Sequence, residues 1–228
     1  MQLPYLDFHT HNKIDDPNIF SITSSPCLNS QPICYGLHPW YLDENWPIAL
    51  ESIKLTCKTS SPLMLGEIGL DKLRGPSFDT QYNAMVAQLK IAAELDLACI
   101  VHSVRSYSEC LSLRKKWSKY CRPWVFHDFN SNENMAKAII QSGCYISLSP
   151  RVMNHYSIHK KKFSYLKTLD LNFIFLETDN DQNTNILEMF EWYSSIRNID
   201  MKDLNKRLWK NLELVTGKNY ECILAESR

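Results

Sequence analysis

Two histidines one residue apart, His9 and His11, close a short and mostly apolar run, Tyr5-Leu6-Asp7-Phe8. On an extended strand, residues i and i+2 point to the same side, so both imidazoles can face one metal ion. Four later strand-like runs also end in residues able to hold a metal: Glu67, His102, His127 and Asp179. Imidazole with carboxylate suits Zn2+ or Mn2+, and a carboxylate-rich, partly hydrated site also takes Mg2+. The set therefore holds one or two divalent ions: His9, His11 and Asp179 around the first, His102 and His127 around the second, and Glu67 bridging them. Two ions roughly 3.5–4 Å apart would clamp a water-derived nucleophile and a phosphoryl or carbonyl oxygen, and would acidify the water. Asp179 is the expected general base. With the bridging Glu67 it makes up the expected catalytic pair.

Other residues offer substrate contacts. His38, beside Pro39 and Trp40, either touches a scissile phosphate or packs on Trp40. Ser103 and Arg105 follow His102 and could hold a phosphate, Arg105 by its fit to that group or else by pairing with a carboxylate. Lys72 and Arg74 serve similarly or face water. His155 and His159 have the i, i+4 spacing of a helical metal pair, but Lys160-Lys161-Lys162 beside them would repel a cation. The run Arg114-Lys115-Lys116-Trp117 is expected on the surface, and Trp192, Tyr193 and Trp209 in the core.

The elements that must position these groups alternate along the chain. Residues 18–23 alternate apolar and polar as a second strand, and 33–36 form a short third before Leu37-His38-Pro39-Trp40. The connections flanking 18–23 are too short for crossover helices, so this end is trimmed. Residues 47–58 read as a helix with Ile48, Ala49, Ile53 and Leu55 on its buried side. Residues 63–68 are a strand carrying Glu67, and Ser77 caps a long helix burying Met85 and Leu89. Then come strand 98–101 ending at His102, helix 106–119, and strand 124–126 ending at His127. Ser131 caps a helix that Gly143 stops.

Strand 144–148 follows, and Pro150 breaks the chain ahead of a basic helical segment over 151–166. Strand 172–176 leads into Glu177-Thr178-Asp179. Helices 186–196 and 201–215 complete the chain, the latter capped by Asp200 and stopped by Gly217. Apolar strands alternating with helices make a parallel sheet covered by helices. Eight strands favour a (β/α)8 TIM-type barrel, in which strand C-termini, and hence the candidate ligands, converge on one face.

With 228 residues, no internal repeat and no low-complexity linker, residues 1–228 read as one domain. Lys plus Arg and Asp plus Glu number 25 each, so overall charge supplies no attraction to polyanions and any nucleic acid is held by local patches. The 8 cysteines include no Cys-x-x-Cys pair and are expected as buried, reduced thiols rather than disulfides or a zinc site. No signal peptide or membrane-spanning run is evident, and a cytoplasmic monomer is expected.

Six motifs together carry a family resemblance: Asp-Phe-His-Thr-His at 7–11, Gly-Leu-His-Pro-Trp at 36–40, Gly-Glu-Ile-Gly-Leu-Asp at 66–71, Ile-Val-His-Ser at 100–103, His127 after an apolar strand, and Leu-Glu-Thr-Asp at 176–179. In this order they resemble the TatD family of metal-dependent deoxyribonucleases, and Gln81 and Gln88 fit its usual context. The resemblance implies an amidohydrolase-type barrel, a one- or two-metal site, and hydrolysis of DNA phosphodiesters, often from a 3′ end. The ligands it implies are His9, His11, Glu67, His102, His127 and Asp179. The chain departs from the family pattern where a helix usually follows the first motif. It departs again at Asn180-Asp181-Gln182-Asn183, where a proline-containing loop is common, and at Lys72, where an aromatic is common. These departures bear on substrate more than on metal. The same clamp would also serve a deacylase acting on an ester or amide such as aminoacylated RNA, and a barrel kept as a non-catalytic interaction module is the non-enzymatic alternative.

Overall fold

The computed structural model describes residues 3–12, 14–24 and 34–226. Its strands are short, buried and parallel. β1 (Tyr5–Thr10) pairs with β2 (Ile19–Thr23) in the register Tyr5↔Ile19 and Leu6↔Phe20. A second sheet runs in chain order through β3 (Leu65–Asp71), β4 (Cys99–Val104), β5 (Trp124–Phe126), β6 (Tyr145–Leu148) and β7 (Ile174–Leu176).

Backbone hydrogen bonds join the two sheets at both edges. Cys34 N donates to Thr23 O (2.8 Å) and Gly66 N to Tyr35 O (2.9 Å). At the other seam, Asp179 N donates to His9 O and His11 N to Asp179 O, each at 2.9 Å. The ring is thus that of a (β/α)8-type barrel whose third staple is reduced. Ile33 lies outside the described residues, and Tyr35 makes a single parallel bridge to Leu65. Pro39, with no N–H to give a ladder, opens a 3-10 turn, Pro39–Tyr41.

The helices cover the ring. They are α1 (Trp46–Ser60), α2 (Phe78–Glu94), α3 (Tyr107–Trp117), α4 (Glu133–Gln141), α5 (Pro150–Ile158), α6 (Ile186–Arg197), α7 (Met201–Thr216) and α8 (Tyr220–Glu226). Inside, Phe8 stacks on Phe175 at 4.2 Å, and Leu6, Ile68, Ile100, Trp124, Phe126 and Ile146 are fully buried. α7 clamps the edge where β1 meets β7. Asn205 Oδ1 accepts from Leu6 N (3.1 Å), Trp209 Nε1 donates to Pro4 O (2.8 Å), and Asn211 Nδ2 donates to Ile174 O (2.9 Å).

Several expectations need correcting. α1 turns Leu50, Ile53 and Cys57 inward, leaving Ile48 and Leu55 73% and 65% exposed. The i, i+3, i+7 stripe that faces α2 won over the larger apolar residues. Asn132, not Ser131, caps α4, accepting from Met135 N at 3.0 Å. Pro150 does not break the chain; it occupies the first turn of α5, where its missing N–H costs nothing. Arg114 is buried rather than on the surface, donating to the carbonyls of Cys121 and Arg122. α8 was not foreseen.

The described cysteines are free, and all but Cys222 are buried; Cys27 lies outside the described residues. Among the described residues, no helix is long and apolar enough to cross a membrane.

Candidate metal centre

Three features of the strand ends bring the ligand-type side chains together. β1, β3 and β4 carry His9, Glu67 and His102, and His127 directly follows β5. Left-handed residues then turn the chain sharply away, at Arg105 (φ 52°), Asp128 (φ 46°) and Asp179 (φ 54°). Aspartate tolerates that region better than most side chains. Finally, β3 and β4 approach so closely that a Cβ on Gly69 (φ 154°) would lie 1.9 Å from His102 O. Only glycine fits there, and the contact sets Glu67 beside His102.

Glu67, 5% exposed, is the hub. Its Oε1 lies 3.2 Å from His9 Nε2 and 2.9 Å from His11 Nε2. Its Oε2 lies 2.8 Å from His127 Nε2, 3.5 Å from His38 Nε2 and 4.0 Å from His102 Nδ1. Asp179 Oδ1 stands 3.7 Å from His9 Nε2 and 3.5 Å from His11 Nε2. Three overlapping groups, His9/His11/Glu67, His9/His127/Asp179 and His38/Glu67/His102, each place their donor atoms within 4.8 Å of one another.

These side chains suit a divalent ion. His9 Nε2 is buried and makes no geometrically sound hydrogen bond, although Glu67 is near. His102 Nδ1 and His127 Nε2 face each other at 3.2 Å and both lie beside Glu67 Oε2, so two imidazole nitrogens and a carboxylate oxygen converge on one position. The donor set of imidazole nitrogens and carboxylate oxygens matches Zn2+ or Mn2+. Bound metal would lie against Glu67, held by His9, His11 and Asp179 on one side and by His102 and His127 on the other, with His38 in reach of the second.

The electrostatics are those of a buried, mutually dependent cluster. Burial pushes the Glu67 carboxyl up, but His127 and His9 outweigh it and hold the group well below its usual range. Burial lowers His9, and burial with the neighbouring His127 and His38 pushes His102 down to about 3. His127 goes the other way, to about 9, because Glu67 overcomes its burial.

A second set of residues holds the ligands in place. Asp7, fully buried, accepts from Thr178 N (3.0 Å) and Thr178 Oγ1 (2.7 Å), which fastens β1 to the turn that carries Asp179. Burial raises its carboxyl to about 7. Glu177 accepts from Asp128 N (2.5 Å) and from the Ser147 hydroxyl, with His127 Nδ1 3.9 Å away, and burial raises it to about 8. Asp71 Oδ2 faces His102 Nε2 at 3.2 Å. Gln88 accepts from Leu37 N (2.6 Å) and donates to Leu37 O (3.2 Å), fixing the turn that presents His38. Gln81 does the same for the loop after β3, through Asp71 N, Asp71 O, Arg74 O and Pro76 O. The roles of Asp7, Asp71 and Glu177 were not read from the sequence. Each lies inside a motif quoted for its histidine, glutamate or aspartate ligand, and that placement was the available signal.

The expected substrate contacts fare differently. His38 reaches the cluster and lines a cleft of about 430 Å3 with His11, Ser24, Gly36, Leu37, Tyr41 and Glu67. Ser103 points away from it, its hydroxyl 3.1 Å from that of Ser106, because alternation along β4 sends His102 and Ser103 to opposite sides. Lys72 pairs with Glu109 and lies over the Phe78 ring. Arg105 is exposed in the turn after β4. His155 Nδ1 lies 3.3 Å from Asn130 Oδ1, and His159 is exposed.

Known proteins resemble this chain in both sequence and shape. A metal-dependent hydrolase of Escherichia coli strain K12, named YjjV and described as uncharacterized, is 31% identical over 156 residues, 66% of this chain and 59% of the relative. The 3'-5' ssDNA/RNA exonuclease TatD of the same strain is 28% identical over 116 residues, 50% of this chain and 44% of the relative. The chain thus spans about half the length of the curated relatives it matches.

The crystal structure of the E. coli YJJV TatD homolog superposes with a TM-score of 0.81 at 22% identity, over 96% of this chain and 100% of that one. A TatD family hydrolase from Entamoeba histolytica gives 0.71 at 15% identity, over 95% and 99%. These two likenesses show the barrel fold. A family model described as TatD related DNase matches residues 28–217. The chain belongs to the TatD-related DNase family.

Proposed function

We propose that this protein is a metal-dependent deoxyribonuclease that hydrolyses phosphodiester bonds in DNA, from a 3′ end, as a cytoplasmic monomer formed by one domain over residues 1–228. The observation that carries the reading is Glu67: each of its two carboxylate oxygens meets its own set of imidazoles. A carboxylate so divided suits a pair of divalent ions, one against each oxygen. When bound, Zn2+, Mn2+ or Mg2+ would polarise the phosphate and make a water acidic enough to attack.

The chain's own groups supply the rest. Asp179, 20% exposed at its side chain and beside His9 and His11, is placed to take the proton from the attacking water. His38 borders the cleft, with Nε2 turned to Glu67, and can donate to a phosphate oxygen. Tyr41, 78% exposed at the same cleft, offers a ring to an unpaired base, which favours single strands over duplex. The name of the related exonuclease, which specifies single-stranded DNA and RNA, supports this substrate class.

The test is turnover of 3′-labelled single-stranded DNA by purified protein with Mg2+, Mn2+ or Zn2+, beside acyl ester and amide substrates. Stepwise shortening from the 3′ end is expected. Hydrolysis of acyl substrates with intact DNA would overturn the reading.

A further inference from the structure

The side chains behind the ligands differ in one respect. His9 has the Ser24 hydroxyl 3.3 Å from Nδ1, and His127 Nδ1 has no hydrogen bond, Glu177 standing 3.9 Å off. His102 alone among these three has a carboxylate within hydrogen-bonding reach of its outer nitrogen: Asp71 Oδ2, at 3.2 Å from Nε2.

The surroundings of Asp71 settle what that contact is. Its Oδ1 accepts from two backbone amides, Leu73 N (2.7 Å) and Arg74 N (3.1 Å). Its Oδ2 accepts from the indole of Trp40, Nε1 at 2.5 Å. All three are obligatory donors, so three of the carboxylate's lone-pair sites are taken and the ionised, acceptor-only form is the one they stabilise. The remaining neighbour, His102 Nε2, must then also be a donor. A neutral imidazole carries one N–H, so a proton on Nε2 leaves the lone pair on Nδ1. Nδ1 is the atom that faces His127 Nε2 and Glu67 Oε2.

The clamp is rigid. Asp71 is 2% exposed, Gln81 holds its backbone on both sides, and the Arg74 guanidinium stacks 3.8 Å above the Trp40 ring.

We infer that Asp71 is a positioning residue that holds His102 as its Nε2–H tautomer and so aims the Nδ1 lone pair at the second ion position. The aiming half of this inference rests on the proposed metal reading; the tautomer half does not. Carboxylate–histidine–metal relays of this kind orient the ring and raise its basicity, and losing the carboxylate costs about 10–100-fold in metal affinity.

Asp71→Asn in a Trp40→Phe background makes the clearest variant, because the indole N–H that Oδ2 accepts would otherwise oppose the new NH2. The two backbone amides keep the amide oxygen at the Oδ1 position, so Nδ2 faces His102 and donates to Nε2. The imidazole proton is thereby sent to Nδ1. The experiment is 15N-detected histidine NMR on metal-free protein at pH 8, followed by titration with Mn2+. In the unaltered protein, His102 is expected with protonated Nε2 and bare Nδ1. In the double variant the assignment reverses, and affinity for one of two ions falls about 10–100-fold. Trp40→Phe alone, which removes a donor but leaves the carboxylate, keeps the original tautomer.

A proton on Nδ1 of His102 in the unaltered protein overturns the inference, and that spectrum decides even if the double variant does not fold. Unchanged Mn2+ affinity in a folded double variant overturns the aiming role. If the unaltered protein has the expected tautomer and binds no divalent ion, the metal reading and the aiming role fall together while the tautomer stands.

Discussion

The two sides of Glu67 are built by different means. On the Oε1 side, His9 lies in β1, His11 directly follows it and Asp179 comes just after the neighbouring β7, and backbone pairing helped by one buried carboxyl does the positioning. The Thr10↔Asp179 bridge and the Asp7–Thr178 hydrogen bonds hold all three together. On the Oε2 side, His127, His102 and His38 arrive from three separate segments, and side chains behind them do the work: Asp71 for His102 and Gln88 for Leu37 and hence His38. A ligand pair made by local strand geometry needs little outside help. One assembled from distant segments depends on buried polar groups that can each be removed singly.

The largest effect should come from the residue common to both sides. Glu67→Ala is expected to lose both ions and all turnover, with elemental analysis of the purified protein as the check; a full metal complement would deny that the two sides share a bridge. Asp179→Asn should act on the Oε1 side alone. The fold and the Oε2-side ion are expected to remain, while kcat falls about 10²–10⁴-fold in single-turnover assays, the usual weight of general-base catalysis.

Gln88→Ala probes the other side through its support. Two backbone groups of Leu37 would lose their partner inside the protein, costing about 1–3 kcal/mol in denaturant unfolding. Catalysis should drop with it, whereas Gln88→Glu keeps an acceptor for Leu37 N and should restore part of both.

The smallest effect is a pH dependence of the metal-free protein. His127 is raised to about 9, Glu177 to about 8 and Asp7 to about 7. Between neutral pH and 9, the folded state therefore binds more protons at these sites than the unfolded chain does, so stability falls as pH rises. Tm without metal should decline from pH 6.5 to 9. With metal the trend is opposed, because His127 must shed its proton to ligate and affinity grows with pH. A Tm that rises over the same window in EDTA would contradict the burial of these groups.

The same contrast explains what could be read from the sequence. The Oε1 side was legible because i, i+2 spacing on a strand is a local rule, and the strand ends carrying Glu67, His102, His127 and Asp179 announced the rest. The barrel followed from the alternation of apolar strands with helices. The missed features are tertiary. Asp71, Glu177 and Asp7 look like ordinary members of their motifs until their partners from other strands are placed beside them. Ser103 looked like a phosphate contact until the strand pleat turned it away. On α1 the large apolar Leu55 and Ile48 stay exposed while the helix turns Leu50, Ile53 and Cys57 inward, because α2 and not apolarity chooses the face. Arg114 belonged to a basic run and still went inside, where two carbonyls waited for it.

The central claim is that Glu67 divides its two oxygens between two cations. Anomalous diffraction from crystals soaked in Mn2+ tests it most directly. Two peaks flanking Glu67 are expected, one among His9, His11 and Asp179 and one against His102 Nδ1 and His127 Nε2. Density for Mn2+ elsewhere, with none at coordination distance from Glu67, would contradict it.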